Sequence, residues 1–189
     1  MAVIIDGTAG VTTPGVTNSG TDAAAVQTYN GVAMPRMVLS TAQNTTSGTS
    51  IDFTSIPSWV KRITVMLNGV STNGGSVVQV QLGSGSVTAS GYNAAAAYAA
   101  NGTAIISAAY SSGFGTVYNG AADIRHGAMT LTNISGNTWV AAGTLIAAAG
   151  VVSMAGSIAL SGTLDRLRIT TVNGTDTFDA GSVNILYEG

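Results

Sequence analysis

Thr163-Leu164-Asp165-Arg166-Leu167-Arg168-Ile169-Thr170-Thr171-Val172-Asn173-Gly174-Thr175-Asp176-Thr177-Phe178-Asp179-Ala180-Gly181-Ser182-Val183-Asn184-Ile185-Leu186-Tyr187-Glu188 is the stretch whose reading decides the fold. Leu167, Ile169 and Thr171 alternate with Arg166, Arg168 and Thr170. That period of two is the mark of a half-buried strand. Val183, Ile185 and Tyr187 alternate with Asn184, Leu186 and Glu188 in the same way, less cleanly because Leu186 is apolar. Between the two runs, Asn173-Gly174 opens a polar loop with residues that tolerate positive φ. The stretch therefore reads as two strands around a turn, with aliphatic side chains inward and Arg166 and Arg168 outward.

A second block, residues 56–74, reads Ile-Pro-Ser-Trp-Val-Lys-Arg-Ile-Thr-Val-Met-Leu-Asn-Gly-Val-Ser-Thr-Asn-Gly. It predicts a strand over residues 59–67, with Ile63, Val65 and Leu67 on one face and Arg62, Thr64 and Met66 on the other. Asn68-Gly69 and Asn73-Gly74 read as turns. Both blocks put basic residues on one face and aliphatics on the other. This predicts that the two strands pair or neighbour each other with their apolar faces on one core, with Asp52, Asp165 or Glu188 available to neutralise the arginines.

These two blocks, together with Ile5-Asp6-Gly7-Thr8-Ala9-Gly10-Val11, resemble the β-sandwich domain of tailed-bacteriophage virion proteins, chiefly tail-fibre-like ones. The middle of the chain adds nothing to that resemblance.

Further strands are expected at residues 37–39, 51–53, 77–82, 128–131, 138–145 and 156–160, with Ser135-Gly136-Asn137 as a tight hairpin turn. From Gly83 to Arg125 the alternation weakens, so this segment is expected to supply loops at one end of the domain. Short strands near residues 103–108 and 115–117 fit there, and an Ala-rich helix over residues 94–100 competes with a strand. Many short strands with Gly-containing turns and hardly any helix predict an all-β, antiparallel two-sheet sandwich, jelly-roll-like. Phe53, Trp59, Trp139 and Phe178 are the core or interface aromatics. Pro35 marks entry to the sandwich, giving residues 34–189 as the domain and 1–33 as an extended N-terminal arm. Within the arm, residues 2–5 suit a short strand, and Asp22 suits the N-cap of one or two helical turns over 22–29. Residues 1–20 have too few apolar side chains to hold themselves and are expected to lie on another chain.

The chain has 189 residues, enough for one domain with a sizeable core. Only 7% are charged, against about 25% in ordinary soluble proteins. Residues 139–160 are uncharged and long enough for a membrane span, but their interior Gly, Ser and Thr fit buried strands better, so no membrane insertion is expected. Residues 1–5 have neither a basic start nor a long apolar run, so no secretory leader is expected. A surface covered by copies of itself accounts for the low charge. The net charge of −2, with no basic stripe, argues against nucleic acid. Cysteine is absent, which excludes disulfides and thiolate ligands and fits assembly in a reducing cytoplasm.

No catalytic constellation, metal site or cofactor site emerges. His126 is the single histidine, and Asp123-Ile124-Arg125-His126 lacks a nucleophile motif, so it reads as a turn or interface cluster. Asp176 and Asp179 share one small loop, too close in sequence for a glycosidase pair across a cleft. They suit turn-shaping bonds to backbone amides better than calcium. The middle tyrosines Tyr92, Tyr98, Tyr110 and Tyr118 stand among Gly, Ser and Asn, a composition that suits adaptable contact surfaces. They are candidates for contact with a host cell-surface glycan or, equally, for packing between subunits. What the resemblance implies is a non-enzymatic virion protein, a homo-oligomer (a trimer being one arrangement) assembled in the bacterial cytoplasm. Its arm would join it to other virion proteins. A tail-fibre or tail-tip component in host attachment is the leading expectation, and a capsid or head-decoration protein is the alternative.

Overall fold

The structure, a computed structural model, describes residues 28–29, 32–33, 35–117, 120–121 and 123–189. The chain divides into two units at Met34/Pro35, one residue from the expected boundary. In the first unit, β1 (Thr28–Tyr29) pairs with β2 (Val32–Ala33). Thr28–Tyr29 is thus strand rather than the end of a helical turn, because its backbone bonds go to β2. The remaining expectations for the arm fall outside the described residues.

The second unit is an all-β antiparallel sandwich, with no helix among its described residues. Its elements are β3 (Met37–Leu39), β4 (Gln43–Asn44), β5 (Ser50–Thr54), β6 (Arg62–Thr72), β7 (Val78–Ser84), β8 (Ser86–Val87) and β9 (Asn93–Ala99). They continue with β10 (Ile106–Tyr110), β11 (Phe114–Gly115), β12 (Arg125–Ser135), β13 (Thr138–Ala147), β14 (Gly150–Ala159), β15 (Arg166–Thr171) and β16 (Phe178–Glu188). The larger sheet runs β10-β9-β14-β13-β12-β6-β16-β3, with β4 also on β16. The smaller runs β11-β7-β15-β5, with β8 on β7.

The order of pairing is that of a jelly roll. β5 pairs with β15, β6 with β12, β7 with β11 and β9 with β10, each pair nested inside the one before. An antiparallel ribbon rolled on itself gives this nesting, with alternate pairs in opposite sheets. The pairs β5·β15 and β7·β11 lie in the smaller sheet, and β6·β12 and β9·β10 in the larger. β13 and β14 extend β12 into a meander, so three strands stand where a minimal roll has one. Residues 139–160, long enough for a span, are this β13–β14 hairpin. Among the described residues no helix is long and apolar enough to cross a membrane.

Each sheet buries one face. Ile63, Val65, Leu131, Leu145, Val152 and Ile185 come from the larger sheet, and Leu82, Leu167, Ile169 and Phe114 from the smaller. All are fully or almost fully buried.

Four expectations are corrected. First, β15 and β16 do not pair. β15 is central in the smaller sheet and β16 pairs with β6 in the larger, so residues 172–177 cross between layers. A polar loop of that length serves a crossover as well as a hairpin. Second, β15 and β6 are likewise in opposite sheets, and what they share is the core. Third, Asn68-Gly69 lies within β6 as a bulge. Gly69 has φ +70° and faces Gly181 of β16 with φ +94°, where a Cβ would stand 2.3 Å from the Gly69 carbonyl oxygen. Register shifts against both β12 and β16 mark the place, as expected of a glycine bulge. Fourth, the segment 83–125 contains β9, an internal strand, and residues 94–100 are not helical. Ala94, Ala96 and Tyr98 point inward and Asn93, Ala95 and Ala99 outward. Alanine on both faces hides the alternation.

Phe53, Trp139 and Phe178 are buried as expected. Trp59 is only half-buried and precedes β6, which begins at Arg62. Its ring lies 5.8 Å from that of Tyr187, with the Arg36 guanidinium 5.5 Å from its centre. Leu167→Ala should therefore cost about 2–5 kcal/mol in urea denaturation, as for other fully buried leucines. Trp59→Ala should cost less than Leu167→Ala, since Trp59 is only partly buried at the edge of the core.

Candidate functional site

The outer faces of the two sheets differ in chemistry. On the smaller sheet, Arg168 reaches Asp52 on β5 through two hydrogen bonds of 2.7 and 2.6 Å. Arg166 binds Asp165 at 2.8 Å and holds that carboxyl below the usual carboxylate range. Arg62 meets Glu188 at 3.5 Å at one corner of the larger sheet. The three arginines are thus paired with the three acids named from the sequence. By contrast, no Asp, Glu, Lys or Arg occurs from Ile63 to Ala122 or from Gly127 to Leu164. The outer face over β13, β14, β9 and β10 carries no charge.

At one end of the sandwich, two loops lock together. They are residues 73–77 between β6 and β7, and residues 172–177 between β15 and β16. The Asn73 N–H donates to the Thr177 carbonyl at 2.9 Å, and the Thr177 N–H donates back to Asn73 Oδ1 at 2.9 Å. Asp176 accepts the Ser76 N–H at 2.8 Å and Asn173 Nδ2 at 2.6 Å. The Asn173 N–H donates to Ser76 Oγ at 3.0 Å. Gly74 leaves room for this junction, because a Cβ there would fall 2.2 Å from the Asp176 carboxylate and push it off its donors. Asp179 instead accepts the Ser71 hydroxyl. Asp176 thus takes a backbone amide and shapes the junction as expected, whereas Asp179 lies in β16 and holds a strand hydroxyl rather than a backbone amide.

Beside this junction lies a shallow hollow of about 390 Å³ lined by Ser76, Val77, Tyr110, Val172, Asn173 and Asp176. It continues through Val172 and Asn173 into a second hollow of about 320 Å³ on the outer face of the smaller sheet, with Ser50, Gln81, Ser112 and Arg168 among its walls. The lining offers hydroxyls, amides, one carboxylate, the Arg168 guanidinium and the Tyr110 ring. Such a surface can exchange many neutral hydrogen bonds with a hydroxylated ligand while one ring packs on its apolar face. The Asn-Gly pairs at 73–74 and 173–174 signalled two separate turns. Their meeting depends on the roll of the chain, which no local pattern encodes.

The tyrosine candidates separate. Tyr92 is in the core, where its hydroxyl accepts the Leu82 N–H at 2.7 Å and donates to the Thr88 carbonyl at 3.0 Å. Its ring meets Phe114 edge-on at 5.0 Å. Tyr98 is also buried, in the inward row of β9. Neither is a surface contact, a correction that follows from the inward phase of the alanine strand. Tyr118 lies outside the described residues. Tyr110, half-buried, covers Gly115 and lines the hollow.

The Asp123–His126 cluster is split by β12. Arg125 is fully buried, its Nη1 donating to the Asp123 carbonyl at 3.0 Å. Burial lowers its pKa, and the Asp123 charge opposes that shift. His126 points outward, and its Nδ1 accepts the Gly69 N–H at 3.1 Å, filling the bond that the bulge removes from the ladder. No family model, curated protein or solved structure matches this chain.

Burial pushes the Tyr92 phenol up to about 12, against a bond to Leu82 that lowers it. The unfolded chain releases this proton near pH 10. The folded state holds it more tightly, so the stability it contributes is complete below pH 10. It declines toward pH 12 by up to about 1.4 kcal/mol per pH unit. Tyr92→Phe should flatten that alkaline decline. At neutral pH the same variant should cost about 1–3 kcal/mol, because the buried Leu82 N–H loses its acceptor. Urea midpoints measured from pH 7 to 12 read both effects.

Proposed function

We propose that this chain is a structural protein of a bacteriophage virion, a tail-fibre or tail-tip component that takes part in host attachment. One observation carries the reading. The two long stretches that resemble tail-fibre-like β-sandwich domains supply β6, β15 and β16, the strands around which both sheets are built. The resemblance thus falls on the frame of the domain rather than on a peripheral loop. A rigid sandwich that presents locked polar loops at one end is a sound way to carry a recognition surface.

On this reading the hollow beside Tyr110, Asn173 and Asp176 meets cell-surface glycan, and the protein acts by binding rather than by catalysis. Self-association and attachment to other virion proteins complete its role, with assembly in the host cytoplasm. A head-decoration protein is the second reading. It is favoured by the uncharged outer face of the larger sheet, which suits repeated contacts over a shell.

Electron cryomicroscopy of the virion separates the two by position and copy number. A few copies at the tail are expected, and hundreds on the shell would replace the first reading by the second. Particles carrying Tyr110→Ala should assemble normally but adsorb to cells at least about ten-fold more weakly. That corresponds to about 1.4 kcal/mol or more for a central aromatic contact. Normal adsorption with defective assembly would assign Tyr110 to subunit packing.

A further inference from the structure

We infer that the outer face of the larger sheet is the surface on which copies of this chain pack against one another. The inference rests on the self-association included in the reading above and assigns it a place. Register aligns Thr64, Thr130, Ala142, Ala155, Ala95 and Ala109 in one row across six adjacent strands. A parallel row nearer the β13–β14 turn holds Ile146, Val151 and Ala99 side by side, all exposed. Ile146 and Val151 are 52% and 47% exposed, an adjacent pair of β-branched residues in water, with His126 of β12 beside Ile146 at the end of the row.

Three physical arguments make the occupant a second copy. The first is charge. The smaller sheet has Arg168–Asp52 and Arg166–Asp165 on its outer face, whereas β9, β10, β13 and β14 have no ionisable acid or base outside Tyr98 and Tyr110. A partner with a charged face would leave its charges unpaired and desolvated here, whereas the same uncharged face in another copy leaves none. The second is shape. Alanine, serine and threonine project little, so two such faces can approach closely over many residues, and their hydroxyls can pair across the contact.

The third is area. Six adjacent strands, β10 to β6 in sheet order, carry the aligned row, with Arg62 and His126 only at its two ends. At about 4.8 Å between strands and about eight residues of about 3.3 Å each, that is roughly 750 Å². A stable protein interface needs about 800 Å² per partner, so the six-strand face is close to that size. The edge strand β10 adjoins this face and also lacks Lys, Pro and any charge, the usual means of keeping a sheet edge from pairing.

Sedimentation velocity of the full chain tests the assignment. Ala155 is exposed at the middle of the uncharged row, so Ala155→Glu should weaken assembly at least ten-fold and give a folded monomer by circular dichroism. Ala155→Ser should assemble as wild type. So should Thr54→Glu, which adds the same charge to the outer face of the smaller sheet. If Ala155→Glu does not fold, Ser153→Glu, also exposed on this face, takes its place with the same expected result. A folded Ala155→Glu that assembles like wild type would overturn the assignment of the face while leaving self-association intact. A wild-type chain that stays monomeric would overturn self-association itself, without touching the adsorption result for Tyr110→Ala.

Discussion

Leu167 and Ile169 of β15 and Ile63 and Val65 of β6 are fully removed from water, one pair from each sheet of the sandwich. The rest of the structure depends on their burial. Either sheet alone would expose its aliphatic face, and each such side chain left in water forgoes about 1.5–3 kcal/mol. Because the two strands lie far apart in sequence and in different layers, their common core forms only when the chain rolls. The nested pairs β5·β15, β6·β12, β7·β11 and β9·β10 are the consequence. The outermost pair joins residues more than a hundred positions apart, as in Asp52 opposite Arg168. Closing such a loop brings a large entropic cost before any contact rewards it. Slow folding is therefore expected of this topology.

Strand identity was legible wherever the two faces of a strand carry different chemistry. Leu167 and Ile169 against Arg166 and Arg168, or Val78, Val80 and Leu82 against Gln79 and Gln81, announce both strand and facing. β9 shows the limit. Its inward Ala94 and Ala96 and outward Ala95 and Ala97 are chemically the same, so the period disappears from the sequence while remaining in the structure. The inward position of Tyr92 and Tyr98 was lost for the same reason, and with it the distinction between core tyrosines and surface ones. Asn68-Gly69 shows a second limit. Positive φ at a glycine is compatible with a reversal or a bulge, and only the neighbouring strands β12 and β16 decide between them. Which strands pair is not local information at all, so β15 and β16, adjacent in sequence, could not be assigned to opposite sheets from their own residues. The loop junction of Asn73, Ser76, Asn173 and Asp176 was hidden by the same ignorance.

Polar groups show how the domain tolerates its scarcity of charge. Gln79 and Gln81 face outward from β7 yet are buried, because residues 111–113 cross over them. Gln81 Nε2 donates to the Ser112 carbonyl at 2.8 Å, and the Ser112 hydroxyl donates to Gln79 Oε1 at 2.9 Å. Amides and hydroxyls satisfy each other here without ions, so the desolvation cost of a buried charge does not arise. The bulge at Gly69 is handled in the same way, its freed N–H taken by the His126 ring. Neutral hydrogen bonds do in this chain much of what ion pairs do on more charged surfaces.

If the larger sheet's outer face packs against a second copy, as inferred above, its composition meets two opposed requirements. A protein that is to associate with itself must first remain soluble as a newly folded chain. A face of leucine and phenylalanine would bind strongly but would also capture partly folded chains through exposed apolar surface. A face of lysine and glutamate would stay soluble and repel its own copy. Alanine, serine and threonine lie between these limits. Each buries little apolar area, so a single misplaced contact is weak, and only a flat, correctly registered approach sums enough of them to hold. Ile146 and Val151 form the one adjacent pair of strongly exposed aliphatics in this face, and Ile134 stands apart on β12, so they add affinity without turning the whole face adhesive. Selectivity for the intended copy then comes from geometry, since a sheet of different twist or with a projecting charge loses contact along most of the row. Under the inferred packing of copies, the absence of Asp, Glu, Lys and Arg from β9, β10, β13 and β14 has a physical reason in a chain with only 7% charged residues.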